Sequence, residues 1–387
     1  MLIIKNGKIK TMGKMGTLLS ADILIEDGKI KEIGENIDCP PHCEVIDAEG
    51  LLVSPGFIEA HCHVGMWEES VGTPGDDGNE ATDPVTPQLR AIDALNPMDE
   101  AFDDALKAGI TTIMTGPGSA NVIGGQFAAV KTFGRRIDDM TVKAPAAMKI
   151  AFGENPKRVY GNKKTSPSTR MATAAILRDT LFKASEYLTK KEKALKEGSE
   201  PPAYNMKLEA LIPVLKKEIP LKAHAHRADD IFTAIRIAKE FDLKLTLDHC
   251  TEGHLIAEEL AEEGFPCLVG PSLHNRGKVE TKNRSFETPK ILNEKGLKVA
   301  IITDAPVIPQ EYLPLCAGLA CKEGLPEEEA WKAITINPAQ ILGIADRVGS
   351  LEVGKDADIA IFAGDPLMDI AHETKYVIVS GKVAYRG

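Results

Sequence analysis

The chain has 387 residues, 43% of them hydrophobic and 27% charged, which is enough for one large α/β unit plus a smaller one with an ample core. Its formal net charge of −11 argues against nucleic acid or an anionic membrane surface as a partner, because a phosphate backbone has to be met by clustered Lys and Arg. The opening run from Met1 to Lys8 is too short for a signal peptide, and no later stretch is long and apolar enough to span a bilayer, so a cytoplasmic location is expected. Seven cysteines without framework spacing read as free thiols in a reducing compartment. Cys39 and Cys43 flank His42, but no second ligand pair follows, and a Pro-rich surface turn explains them better than a zinc site.

Short strands are expected at Leu2 to Ile4, Ala21 to Glu26, Lys29 to Ile33 and Leu51 to Val53, separated by Asn-Gly and Asp-Gly turns. The end of the chain repeats this texture, with strands at Ala357 to Phe362 and Tyr376 to Val379 and a turn at Ser380-Gly381. A few isolated strands cannot bury a core alone, so residues 1–55 and 345–387 are expected to combine into one small β-sandwich domain.

Between them, residues 56–344 alternate apolar runs with helical patterns. Strands are expected at Gly56 to Ala60, Thr111 to Thr115, Ala128 to Phe133, Ala147 to Ala151, Leu221 to His224, Lys244 to Leu247, Pro266 to Val269 and Val299 to Thr303. Helices are expected at Met98 to Lys107, Ala172 to Lys196, Ala228 to Glu240, Leu255 to Glu263 and Thr288 to Lys295. Eight strand–helix units point to a closed parallel (β/α)8 barrel of the TIM type. A doubly wound open sheet is the alternative, but no Gly-x-Gly-x-x-Gly or Gly-Lys-Ser/Thr loop supports it. The charged run from Thr189 to Glu200 reads as a solvated helix face. Met66 to Pro97 reads as a long irregular loop, either over the mouth of the barrel or on an ordinary surface.

Residues at the C-terminal ends of barrel strands converge on one mouth, and six ligand-type side chains sit at such ends: His61, His63, Lys149, His224, His249 and Asp304. His61 and His63 are two apart on a strand, so both imidazoles face one way with Cα atoms roughly 6 to 7 Å apart, within reach of one ion. Each histidine alone has a bland explanation as a solvent-facing or hydrogen-bonded core residue. The order His-x-His, Lys, His, His, Asp on successive strand ends has few structural explanations, so a metal centre is expected. Lys149 lies in an apolar strand where an ammonium is costly to bury. Carboxylation by carbon dioxide would turn it into an anionic oxygen ligand able to bridge two ions, and snorkelling to solvent is the alternative. Glu154 competes for the same position.

The run from Ser54 to His63, Gly109-Ile-Thr-Thr, Met148-Lys149-Ile, the later histidines, Thr303-Asp304-Ala-Pro, Thr335-Ile-Asn-Pro-Ala and Gly349 to Asp358 together resemble the amidohydrolase superfamily, in the branch of imidazolonepropionase-like hydrolases and metal-dependent dipeptidases. The resemblance covers essentially the full chain. It implies that His61 and His63 hold one ion, that His224 and His249 hold a second, that Lys149 bridges them, and that Asp304 binds metal and handles protons. Zinc is favoured, with manganese, iron or cobalt also suited to these ligands. Such a centre activates water to attack a carbonyl or amidine carbon and polarises the oxygen that gains charge.

Deaminases of the superfamily usually carry a Glu three residues after the fifth-strand histidine, where this chain has Arg227. Imidazolonepropionase-type sites resemble one-metal centres without a bridging lysine. The expectation is therefore a two-metal hydrolase of an amide, cyclic amide or dipeptide-like small molecule, with the one-metal enzymes and a non-catalytic binding or assembly protein as alternatives. His226, Arg227, His274, Asn275 and Arg276 are candidate substrate contacts, because a basic cluster on an acidic protein suits a substrate carboxylate. Solvated loop charges are the competing explanation, and a homo-oligomer stays open.

Overall fold

The computed structural model describes residues 1–387. The chain begins with β1 (Leu2–Lys10), β2 (Thr17–Glu26), β3 (Lys29–Gly34), β4 (Glu44–Asp47) and β5 (Leu52–Pro55). Eight strands follow: β6 (Phe57–Cys62), β7 (Ile110–Thr115), β8 (Ile123–Lys131), β9 (Thr141–Ala151), β10 (Leu221–Ala225), β11 (Leu245–His249), β12 (Cys267–Val269) and β13 (Val299–Ile301). The last three are β14 (Ile359–Ala363), β15 (Glu373–Val379) and β16 (Lys382–Arg386).

The first five and last three strands share one sheet, in the order β16-β15-β14-β5-β1-β2-β3 with β4 also paired to β1. Antiparallel β5 and β14 form the seam where the two ends of the chain meet. The sandwich expected from the termini takes the form of a continuous sheet whose Lys29 bridges back to Asp356. It curls around Ile4, Ile23, Ile46, Val53, Ile359 and Ile378. Burying these branched side chains supplies roughly 1.5–3 kcal/mol each before chain entropy is counted.

The middle eight strands form the second sheet, running β6 to β13 in sequence order, a TIM-type barrel. Its closing seam is made by side chains and loop backbone. Fully buried Glu59 of β6 accepts the Thr303 N–H at 2.8 Å and the Thr303 hydroxyl at 2.6 Å, and the His63 N–H reaches Ala305 O at 2.8 Å. The outer helices pack Leu177, Leu181, Ile231 and Ile235 against barrel residues such as Leu221, Leu247 and Val299.

Three expectations need correction. The barrel is not wholly parallel, because β8 runs antiparallel to both β7 and β9. A parallel return needs a crossover of a dozen or more residues, and only residues 116–122 separate β7 from β8. For the same reason there are not eight strand–helix units: no helix follows β7, and only the short Ile137–Met140 turn follows β8. The third strand also begins at Ile123 rather than Ala128, since the glycines at 124 and 125 conceal its start. The helix at Ala228–Glu240 has the expected bounds, and the long helix runs Arg170–Glu197. No helix is long and apolar enough to cross a membrane.

Buried Lys131 on β8 joins barrel to terminal sheet. Its ammonium pairs with Asp358 and lies 3.0 Å from Asp356, and Asp356 also meets Arg347 at 2.9 Å. Removing one member of a buried pair leaves an uncompensated charge, at a cost of about 3–5 kcal/mol. Lys131→Met is therefore expected to lower the unfolding free energy by about that amount in urea titration. The exposed Lys183→Met, which breaks a helix-surface pair with Asp179, should change it by less than about 1 kcal/mol.

Candidate metal centre

Strand β6 carries His61 near its end, with His63 just beyond it, because apolar Phe57, Ile58 and Ala60 anchor it in the barrel wall and bring both imidazoles to the mouth. The Nδ1 of His61 lies 2.7 Å from Asp248 Oδ2, that of His63 2.7 Å from Gly116 O and that of His249 2.8 Å from Gly270 O. A carboxylate and a carbonyl accept only, so each Nδ1 is the protonated donor and each Nε2 keeps its lone pair. Those lone pairs face inward. His61 Nε2 is 3.4 Å, and His63 Nε2 3.3 Å, from Asp304 Oδ1.

Burial dominates the acid–base state of the cluster. It pushes His61 down to about 3, helped by the ammoniums of Lys149 and Lys222, and His249 down to about 4. His224 and His226 fall well below the ordinary imidazole range, first through burial and then through His249. Neutral imidazole is the form that ligates metal. Lys149 is fully buried and burial lowers it to about 8, with its Nζ 3.2 Å from His61 Nε2. Glu154, its competitor, turns elsewhere: its Oε1 accepts the Glu280 N–H at 3.1 Å.

The residues fit a cation on grounds of hydrogen-bond satisfaction. His224 Nε2, His249 Nε2 and Asp304 Oδ1 are buried without any hydrogen-bond partner, and such orphans each cost on the order of 1–3 kcal/mol. The donor atoms of His61, His249 and Asp304 lie within 4.8 Å of one another, as do those of His224, His226 and His249. His249 thus belongs to two potential ligand groups. Backbone strain is present here as well. His249 and Asp304 hold φ of 73° and 57°, a left-handed conformation that non-glycine residues adopt at a cost and that clusters at functional sites.

A cavity of about 570 Å³ opens above these atoms. His226, His274 and Asn275 line it, whereas Arg227 and Arg276 do not. Arg227 instead forms a two-pronged pair with Asp229 at 2.9 and 3.1 Å. The cations on the wall are Arg158, Lys278 and Arg284. Trp67, from the irregular segment after β6, also lines the cavity, its ring 4.5 Å from that of His63. Asp99 anchors that segment by accepting the N–H groups of Gly65 and Glu69.

Sequence reasoning missed Asp248, Lys222 and Glu280. Lys222 Nζ sits 3.0 Å from Asp248 Oδ2 and 3.0 Å from Ala60 O, fully buried beneath the histidines. Like Lys149, its register partner on β9, it is a lysine within an apolar strand, and that signal could have found it. Asp248 adjoins His249 in Leu-Asp-His, but nothing local links it to His61, 187 positions away. Glu280 lies in a polar loop with no distinguishing pattern.

The amidohydrolase family model matches residues 52–384. A crystal structure of an amidohydrolase from Thermotoga maritima superposes with a TM-score of 0.96 at 44% identity, over 100% of both chains. The amidohydrolase tasK of Hapsidospora irregularis is 29% identical over 89% of this chain, which spans 38% of that longer relative. A dihydroorotase of Ruminiclostridium cellulolyticum is 26% identical over 93% of this chain and 88% of its own length.

Asp248→Asn weakens the acceptor that fixes the His61 tautomer and leaves Lys222 without its counter-charge. Metal affinity is expected to fall about 10- to 100-fold, read by metal titration of the stripped protein, with secondary structure unchanged by circular dichroism.

Proposed function

We propose that this chain, which belongs to the amidohydrolase family, is a two-metal hydrolase that cleaves a carbon–nitrogen bond in a small amide, cyclic amide or dipeptide-like substrate. The observation that carries this reading is the set of buried, unpartnered atoms, His224 Nε2, His249 Nε2 and Asp304 Oδ1, beside an open cavity that His224 and Asp304 line. His61, His63 and Asp304 would hold one ion, and His224 and His249 the other. Lys149, lowered in pKa and pressed against His61, would bridge them once carboxylated. Zinc suits the donors best, with manganese, iron or cobalt as substitutes. When bound, such ions supply Lewis acidity and lower the pKa of a water molecule into the neutral range.

The chain's own groups then have defined tasks. Asp304 has a buried oxygen free of hydrogen bonds, so it can accept the proton of the attacking water and return it to the departing nitrogen. Asp248 and Lys222 hold His61 in one orientation. Trp67 covers one side of the cavity and limits access of bulk water. Arg158, Lys278 and Arg284 offer cations for a substrate carboxylate, with guanidinium groups able to clamp it through paired hydrogen bonds. A one-metal deaminase or imidazolonepropionase-type enzyme is less well supported, since a buried Lys149 faces His61 and the expected deaminase Glu position is Arg227, engaged with Asp229. All seven cysteines are free, in keeping with the cytoplasmic location we assign.

Metal quantification coupled to hydrolysis assays on N-acyl amino acids, dipeptides and cyclic amides tests this reading. Activity should disappear on chelation and return with added zinc or manganese; turnover that survives rigorous metal removal would exclude it. Asp304→Asn should lower kcat by about 10²- to 10⁴-fold while the protein stays folded. Arg158→Ala should raise KM for carboxylate-bearing substrates and leave neutral analogues unchanged, and equal losses for both would reject the clamp.

A further inference from the structure

Glu280 is a buried acid at the mouth for which the proposed hydrolysis has no task. It follows β12 in a turn at Val279–Thr281, and its side chain is 1% exposed. A reciprocal clamp fixes it: Glu280 Oε2 accepts the Glu154 N–H at 2.9 Å, and the Glu280 N–H donates to Glu154 Oε1 at 3.1 Å. Gly153 permits this approach, because a Cβ there would lie 2.6 Å from Glu280 Oε2, and its φ of 80° also favours glycine. The clamp leaves Oε1 aimed at the histidines, 4.0 Å from His224 Nε2 and 3.9 Å from His226 Nε2, without a hydrogen bond. Lys278 Nζ is 4.0 Å from the same oxygen, beyond hydrogen-bond reach, on a side chain that is 44% exposed and bonded to Asn155.

A carboxylate oxygen held against neutral imidazoles, with an unpartnered nitrogen on His224, is unfavourable as it stands. A cation among these atoms turns every contact attractive. We infer that His224, His226, His249 and Glu280 together form a pocket for a divalent cation, with three imidazole nitrogens and one carboxylate oxygen as donors. The mutual spacing of the three histidine donors already suits one ion, and three nitrogens with the Glu280 oxygen, joined by the bridging oxygen of carboxylated Lys149, suit a five-coordinate zinc or cobalt ion. This inference rests on the metal-centre reading above and refines it, making His226 a ligand rather than a substrate contact and adding Glu280 to the set.

Cobalt(II) titration of the metal-free full-length protein, followed by calorimetry and visible absorption, tests it. The wild type should take up two ions. Glu280→Gln and His226→Gln should each weaken one of them by at least about 10- to 100-fold and alter the cobalt spectrum, while the second ion binds as before. His61→Asn should weaken the other ion instead. If Glu280→Gln fails to fold, as judged by circular dichroism, His226→Gln reads the same site. Should both variants bind two ions with wild-type affinity and spectrum and change only KM, this inference is overturned and the hydrolase reading stands. A wild-type protein that takes up no cobalt would remove both.

Discussion

An imidazole that has given its Nδ1–H to a fixed oxygen has one lone pair left, and its direction is no longer free. Asp248, Gly116 O and Gly270 O impose this on His61, His63 and His249. The remaining architecture follows from supplying those oxygens and tolerating the inward lone pairs in a buried setting. The barrel does so by bringing β6, β11 and the loops after β7, β12 and β13 to one end. Burial, helped by the nearby ammonium of Lys149, keeps His61 and His249 neutral, so both hold donor lone pairs at neutral pH.

Beneath the imidazoles lies a second polar layer with a different role. Lys222, Asp248 and His61 form a fully buried chain of contacts, and Glu59 ties the His61 backbone to Thr303 across the closing seam. Such groups are expensive to desolvate and become worthwhile only when each member is satisfied. They fix His61 and Thr303 in position at the mouth. Strain at His249 and Asp304 belongs to the same economy, since the packed barrel wall holds conformations that the local chain would avoid.

The cavity wall is distributed differently, over loops and a helix. The strap after β6 carries Trp67 against His63 and is tied down by Asp99, while the loop after β12 contributes His274, Asn275, Lys278 and Arg284 to the cavity. Arg158 comes from the helix after β9. Loops of this kind can vary while the buried polar layer beneath them stays intact, and a single fold can in this way carry many different sites. The Gly349 to Asp358 segment shows the reverse case. Its Asp356 and Asp358 hold Lys131 and join barrel to terminal sheet, so a segment that helps to identify the family has an evident structural task.

The primary sequence determined the features that depend on local periodicity. Apolar runs with ligand-type residues at their ends, helices such as Ala228–Glu240, and β-rich termini are all written in short windows, because side-chain spacing along a strand or helix decides which face is buried. Tertiary structure alone decided the direction of β8, the pairing of Arg227 with its neighbour Asp229, and the convergence of Asp248, Lys222 and Glu280 on the histidines. These outcomes depend on sheet order, register and the rotamer that wins locally. Burial then gives distant contacts their strength, since an ion pair or hydrogen bond is worth far more where water has been excluded, and only the folded chain excludes it.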